Sequence, residues 1–500
     1  MRNRITKFVV LALCAAALLG STCSAALYRR PFVGFLPFQG PRGAFTYAIP
    51  QLVYWEMGCI PGMQMSPVYG MIDCVQLDRL DIPENLSDTT AYSRLADATG
   101  VDYLVTGDVE RQDKSSVRFR VVVYSAADPL FHGEQVYECA LPALVDEAVR
   151  AANYVAAAVK VPVGSSIKFD IQKIDPKALR SIDKSMRIEA DSAGAVRARR
   201  LADEAKVKCP ESSFVADWAH SYSDYSAAEL DDYAKLIGRC PDNALILQVL
   251  IYGHSDYTGS ARVKTYASKW LKLDPTSPLA QIAASGRCAD VETGSWRTQL
   301  SIADMYGAVH DIEQSRKWLK MVESRYPRSA YIRYFGWRML GWAQECASAR
   351  AEIEQAVRLN PDSCKLQLCL VRGYMSVGET EAALTAVRKI LKRWPKRSDC
   401  HALAAWVYRE RNEYSKAAAE YRIAERLDPD ASVDHKFLAT QDLRSGNLIQ
   451  ALRGFANGDP DARRGTILFS VALTGVFLLA ILAAAVLIRF LLRPRAESKG

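Results

Sequence analysis

Four prolines constrain this chain more than any other feature. Pro327, Pro361, Pro395 and Pro429 succeed one another at intervals of 34 residues. A fixed period of this length, closed each time by a proline, marks a stack of helix–turn–helix units. The proline ends each second helix because it disfavours helical backbone in the residue before it. One helix pair cannot bury its own apolar face, so each unit needs a neighbour and the chain must build a solenoid. Pro275, Pro241 and Pro210 close earlier, more degenerate units. The interval from Pro275 to Pro327 is 52 residues, which predicts an extra half-repeat over Pro278–Ser295 with a break near Ser285-Gly286. The fold class expected is mainly α: an α-solenoid over 179–458, preceded by a small α/β domain and followed by a single transmembrane helix.

The unit from Cys364 carries Leu370, Tyr374, Gly378, Ala383 and Pro395, and the unit from Ser398 carries Ala404-Ala405, Tyr408, Asn412, Ala417, Tyr421, Ala424 and Pro429. This pattern resembles the tetratricopeptide repeat family. Small residues at the helix crossing let two helices approach, and large ones fill the space between. The units from Trp296 (Tyr306, Leu319, Pro327) and Ala330 (Trp337, Ala349, Ala356, Pro361) match less fully, and a last one runs from Ser432 to about Gly458. The resemblance implies that the first helix of each pair lines the concave side. It places Tyr331, Tyr334, Arg338 and Trp342, then Lys365 and Arg372, then Trp406 and Arg409, and finally Lys436 and Arg444 on that face. Arg338, Arg372 and Trp406 are 34 residues apart and should form a ladder. Arginine and aromatic residues dominate binding hot spots, and arginine grips carboxylates through two parallel hydrogen bonds. The expected ligand of this groove is an extended or helical protein segment of acidic character.

The two ends suggest a place in the cell. Arg2, Arg4 and Lys7 precede an apolar run, Phe8–Leu19, and small residues at Cys23-Ser24-Ala25 offer a cleavage site, so 1–25 reads as a signal peptide. Thr466–Ile488 is 23 residues without a charge, long enough to cross a bilayer core of about 30 Å. More basic residues come after it (Arg489, Arg493, Arg495, Lys499) than precede it (Arg463, Arg464), so 489–500 is expected in the cytoplasm. The net charge of +8 sits largely at these ends, and 26–460 carries about +1. A nucleic-acid partner, which would need a concentrated basic surface, is therefore not expected. Ten cysteines remain after cleavage, and Cys59 and Cys74 are the local disulfide candidates.

In the amino-terminal domain, 28–165, Phe32–Phe38 reads as a strand, Gly43–Met57 as a helix and Thr90–Thr99 as a helix ended by Gly100. Asp102–Val109, Ser116–Tyr124 and Gln135–Cys139 read as strands, and Leu141–Val159 as a packing helix. The stretch Leu95 to Val109, with Phe35-Leu36-Pro37-Phe38 before it, resembles the TolB amino-terminal-like domains. That resemblance implies a non-catalytic α/β module.

No H-E-x-x-H, G-x-S-x-G, phosphate-binding glycine loop or EF-hand loop occurs, and the six histidines are scattered. Neither catalysis nor a cofactor or metal is expected. The chain reads as a membrane-anchored scaffold of a bacterial cell envelope, with its bulk periplasmic or exterior and an envelope protein or peptide segment as partner. The alternative is a ligand-sensing subunit in which the α/β module binds a small molecule.

Overall fold

The computed structural model describes residues 30–450, apart from 42, 165–166, 168, 170–173, 191–194, 221–226, 255–260, 289–294, 343, 430, 432 and 448–449. The expected signal peptide at 1–25, the apolar run at 466–488, the tail at 489–500 and the end of the last repeat (Ala451, Phe455) lie outside the described residues. Among the described residues no helix is long and apolar enough to cross a membrane.

Strand β1 (Phe32–Phe35) is buried at every position, as a central parallel strand must be. It pairs in parallel with β2 (Gln64–Ser66) and with β3 (Tyr103–Gln112), through Val33↔Met65 and Val33↔Tyr103. The sheet then continues antiparallel through β4 (Ser116–Ser125) and β5 (His132–Ala140), giving the order β2-β1-β3-β4-β5. Side chains alternate between faces. Val33, Phe35, Val105, Phe119, Val121 and Val123 join one core, and Phe32, Leu104, Val122 and Tyr124 another. Helices α1 (Ala48–Met57) and α4 (Leu144–Ala158) supply residues to the first core, α2 (Val68–Leu77) and α3 (Thr89–Thr99) to the second. Gly107 is needed because a Cβ there would stand 1.8 Å from the Arg120 carbonyl oxygen on β4.

The first core does not stop at the module. It runs on into α5 (Pro176–Ala190), α6 (Ala195–Lys208), α7 (Ser213–His220), α8 (Ala227–Ala234) and α9 (Ala244–Gly253), through Ile182, Ala202, Phe214, Leu230 and Leu250. Trp55 of α1 meets Phe214 with ring centroids 6.5 Å apart. Next come α10 (Ala261–Leu273) and the eight-residue α11 (Pro278–Ser285), which stops at left-handed Gly286, at the expected break of the half-repeat.

Beyond it the repeats become regular. Helices α12 (Trp296–Ala308), α14 (Ala330–Trp342), α16 (Cys364–Ser376) and α18 (Ser398–Glu410) start 34 residues apart. Their second helices, α13 (Ile312–Arg325), α15 (Cys346–Leu359), α17 (Thr380–Arg393) and α19 (Tyr414–Leu427), keep the same step, and α20 (His435–Arg444) opens the next unit. The turn inside each unit repeats as well. His310, Gln344, Gly378, Asn412 and Gly446 all have positive φ, between 59° and 81°. Glycine takes that conformation freely and asparagine tolerates it; His310 and Gln344 hold it under strain of about 1 kcal/mol each. Ala349, Ala356, Ala383, Ala417 and Ala424 are buried at the helix crossings, as the small-residue pattern requires. The chain thus has a five-stranded α/β sheet domain preceding a tetratricopeptide-like helical repeat region. It falls into two compact units, one up to Glu379 and one from Thr380 onward.

Candidate protein-binding surface

Within the first unit, the face offered by the first helices of the pairs is occupied. Its occupant is α2 of the chain's own α/β module. This helix is apolar on three sides. Met71 and Val75 turn to the sheet, Val68 and Ile72 join the core shared with α5, and Cys74 and Leu77 pack with Trp296, Leu300 and Tyr331 of the repeats.

Polar contacts fix the register of this docking. The Lys365 ammonium, on α16, lies 2.6 Å from both carboxylate oxygens of Asp73 and 5.2 Å from the Tyr334 ring centre. Burial draws its pKa down, but Asp73 outweighs that and holds it above the usual lysine range. Asp78, just past α2, accepts from the Tyr331 amide at 2.8 Å and from the Ser329 hydroxyl at 2.6 Å. A carboxylate from the module therefore caps α14, where the helix dipole favours negative charge. Asn360 secures the other side by donating to the Gln76 and Leu77 carbonyls at the end of α2 and accepting from Arg79 at 3.0 Å.

A second set of contacts holds α3. Arg297, on α12 and 5% exposed, donates to the Thr99 carbonyl at 2.6 Å, to Ser66 Oγ at 3.2 Å and to Tyr331 Oη at 3.4 Å. Its charge meets the negative end of the α3 dipole. Gly100, with φ 69°, ends α3, and an added Cβ would stand 2.2 Å from the Trp296 ring. The expected helix-ending glycine therefore has a second reason to be glycine, in a residue of the repeats.

The residues expected to line a groove divide accordingly. Tyr331 and Tyr334 are buried under the module. Arg338 stacks on Phe335 at 4.7 Å and faces Asp304, to which Tyr252 donates a hydrogen bond. Burial pushes the Asp304 carboxyl up against the pull of Arg338 and that hydrogen bond. Lys365 is held by Asp73, and Arg372 is exposed. Trp342 closes α14, and its side chain lies outside the described residues. Tyr331, Tyr334 and Lys365, expected to take a partner, are instead covered by the chain's own α2. In the second unit, Trp406 is half-buried, Arg409 pairs with Asp434 at 2.7 Å, and Lys436 and Arg444 are exposed.

The expected Cys59–Cys74 disulfide is not formed. Cys74 sits on α2 and turns into the repeat core, where burial raises its thiol to about 12, while Cys59 lies beyond the end of α1. The sequence reading lacks α2 altogether. Its signal is present: Val68, Met71, Ile72 and Val75 obey the i, i+3, i+4, i+7 rule directly after Pro67. Among the described residues no group of three or more His, Cys, Asp or Glu is placed to hold a metal.

No family model matches the chain, and no curated protein matches it. Several solved structures of MamA are similar to part of it. One, of MamA from residue 41 to its end from Desulfovibrio magneticus RS-1, is 14% identical, covers 34% of this chain and 96% of that one, and has a TM-score of 0.29. Another MamA crystal structure is 16% identical over 33% of this chain and 96% of that one, with a TM-score of 0.29. MamA MSR-1 is 13% identical over 38% and 98%, with a TM-score of 0.26. Likeness at this level supports no statement about function. The repeat architecture rests on the 34-residue geometry of the chain itself, and the resemblance to TolB amino-terminal-like domains finds no counterpart among these structures.

Proposed function

We propose that this chain is a protein-interaction scaffold whose second unit captures a helical or extended acidic segment of another protein. The observation that carries this reading is the docking of α2. In the first unit, the first helices of the pairs take up an apolar helix and secure it by its acidic residues, Asp73 on Lys365 and Asp78 on the start of α14. The second unit repeats the same helix geometry. Its corresponding first helices, α18 and α20, present Trp406, Lys436 and Arg444. A partner of the same chemistry as α2 suits that face.

The 23-residue uncharged run at 466–488 and its basic flank support a membrane anchor with the repeats outside the cytoplasm. An envelope protein is then the partner class. The test is a photo-crosslinking amino acid at Lys436 in the full chain, expressed in bacterial cells. A discrete protein adduct is expected, and Trp406→Ala with Arg444→Glu should reduce it at least about tenfold, the size of a hot-spot loss. An adduct that survives both changes, or crosslinks to lipid alone, overturns the reading.

A further inference from the structure

Between the α/β module and helices α9 to α12, the first unit has a pocket of ≈ 60 Å³. That is room for about four waters, or one organic molecule of about six heavy atoms. Its walls come from both sides: Arg30 and Gln64 from the module, and Gln248, Trp270, Asp274 and Ser277 from the repeats.

Two of these side chains are incompletely satisfied. Gln64, on the short strand β2, is 8% exposed, and neither its amide oxygen nor its amide nitrogen has a protein partner. Arg30 is fixed by Asp274 and by Thr276 Oγ1 at 3.1 Å, but its Nε–H has none. Asp274 is also bonded to the Gly62 amide at 3.3 Å, so the loop before β2 is anchored to the repeats beside the cavity. A buried amide with neither group bonded forfeits about 1–3 kcal/mol per group, and native chains rarely leave such groups without an occupant. Water alone would satisfy Gln64, but the wall also carries an opposed cation and anion. Arg30 and Asp274 neutralise each other, so the charge of a singly charged ligand would find no counter-ion in this wall, whereas a ligand that carries both charges has no net charge to compensate.

We propose that this cavity binds a small zwitterion, a free amino acid of about six heavy atoms or fewer. Its carboxylate takes the Arg30 Nε–H and the Gln64 amide N–H, and its ammonium donates to the Gln64 amide oxygen and the Ser277 hydroxyl. Trp270 and Phe32 border the space left for its side chain, which favours glycine and alanine over larger residues. Because the walls belong to both module and repeats, occupancy ties the two more tightly.

The experiment is thermal unfolding of the full chain with each of the twenty amino acids singly at about 10 mM, in parallel with equilibrium dialysis against the same set. Glycine or alanine should raise the melting temperature by about 2 °C or more, and dialysis should show one mole retained per mole of chain. Gln64→Met, which keeps the side-chain length and removes the amide, should abolish both effects. No retention of any amino acid by the wild-type chain overturns the proposal. So does an equal shift in Gln64→Met, or a response led by large or singly charged residues. Dialysis of the wild-type chain decides the matter even if the variant does not fold.

Discussion

The two compact units share one repeat geometry and use it differently. In the first, the leading helices α12, α14 and α16 are covered by the module's α2, and charged groups are drawn into the contact. In the second, α18 keeps the same 34-residue step, and Lys436 and Arg444 on α20 are exposed. The titrating groups record the contrast. Among the described residues, the carboxylates whose pKa is raised (Asp78, Asp203, Asp217, Asp304 and Glu323) all belong to the first unit. In the second, Glu413 is shifted down, held by hydrogen bonds from Lys416 and Arg411. Of the raised carboxylates, Asp78 lies in the docking contact itself, where burial raises it against the Ser329 and Tyr331 hydrogen bonds.

The sharpest way to break this contrast is Arg297→Ala. It removes a buried cation and leaves the Thr99 carbonyl and the Ser66 hydroxyl without that donor. A loss of about 2–4 kcal/mol is expected, because hydrogen bonds from a charged donor are lost and buried acceptors are left unsatisfied. Denaturant unfolding of the full chain measures it, and a change below about 1 kcal/mol would show that α3 is not held by the repeats.

A pH dependence comes next. Burial lifts Asp217 to about 7, against the Tyr233 hydrogen bond that lowers it. The folded chain then holds this proton more tightly than the unfolded chain. Stability is greatest while the carboxyl is protonated and falls as pH rises from about 4 toward 7. Asp217→Asn should flatten that slope and stabilise the chain at about pH 8 by roughly 1–3 kcal/mol. Melting curves of both forms at about pH 5 and pH 8 decide it; parallel losses with pH in the two would refute the assignment.

The smallest effect compares two lysines. Lys365→Ala should cost about 1–2 kcal/mol, since it leaves Asp73 partly buried without its cation. Lys436→Ala, at an exposed site, should stay within about 0.5 kcal/mol. Equal effects would erase the difference between the two faces.

Much of the repeat fold is legible in the residues alone, because proline at 34-residue spacing and alanine at helix crossings report local geometry. Gly378, Asn412 and Gly446 announce their turns; His310 and Gln344, which adopt the same backbone, do not, because neither residue type signals a left-handed turn. The strands Tyr103–Gln112 and Ser116–Ser125 are long enough to be seen, whereas β2, three residues long, gives no period. The repeat register places the face residues on the right helices. What no local pattern can carry is their partners. Asp73 and Lys365 are separated by 292 positions, and nothing in either neighbourhood names the other. Helix α2 has a legible apolar spacing, but its place after Cys59, with Cys74 inside it, invites reading the stretch as a disulfide loop instead.

The paired anchors of the module have a consequence for how this chain can change. Asp274 grips the loop at Gly62, and Asn360 grips the far end of α2. The two act as the jaws of a caliper closed on a rigid block. Inserting or deleting one 34-residue unit between them would open or close the jaws by a whole helix pair and lose both grips together. Units added after Glu379 would meet no such gauge. The count of repeats up to α16 is therefore set by the module.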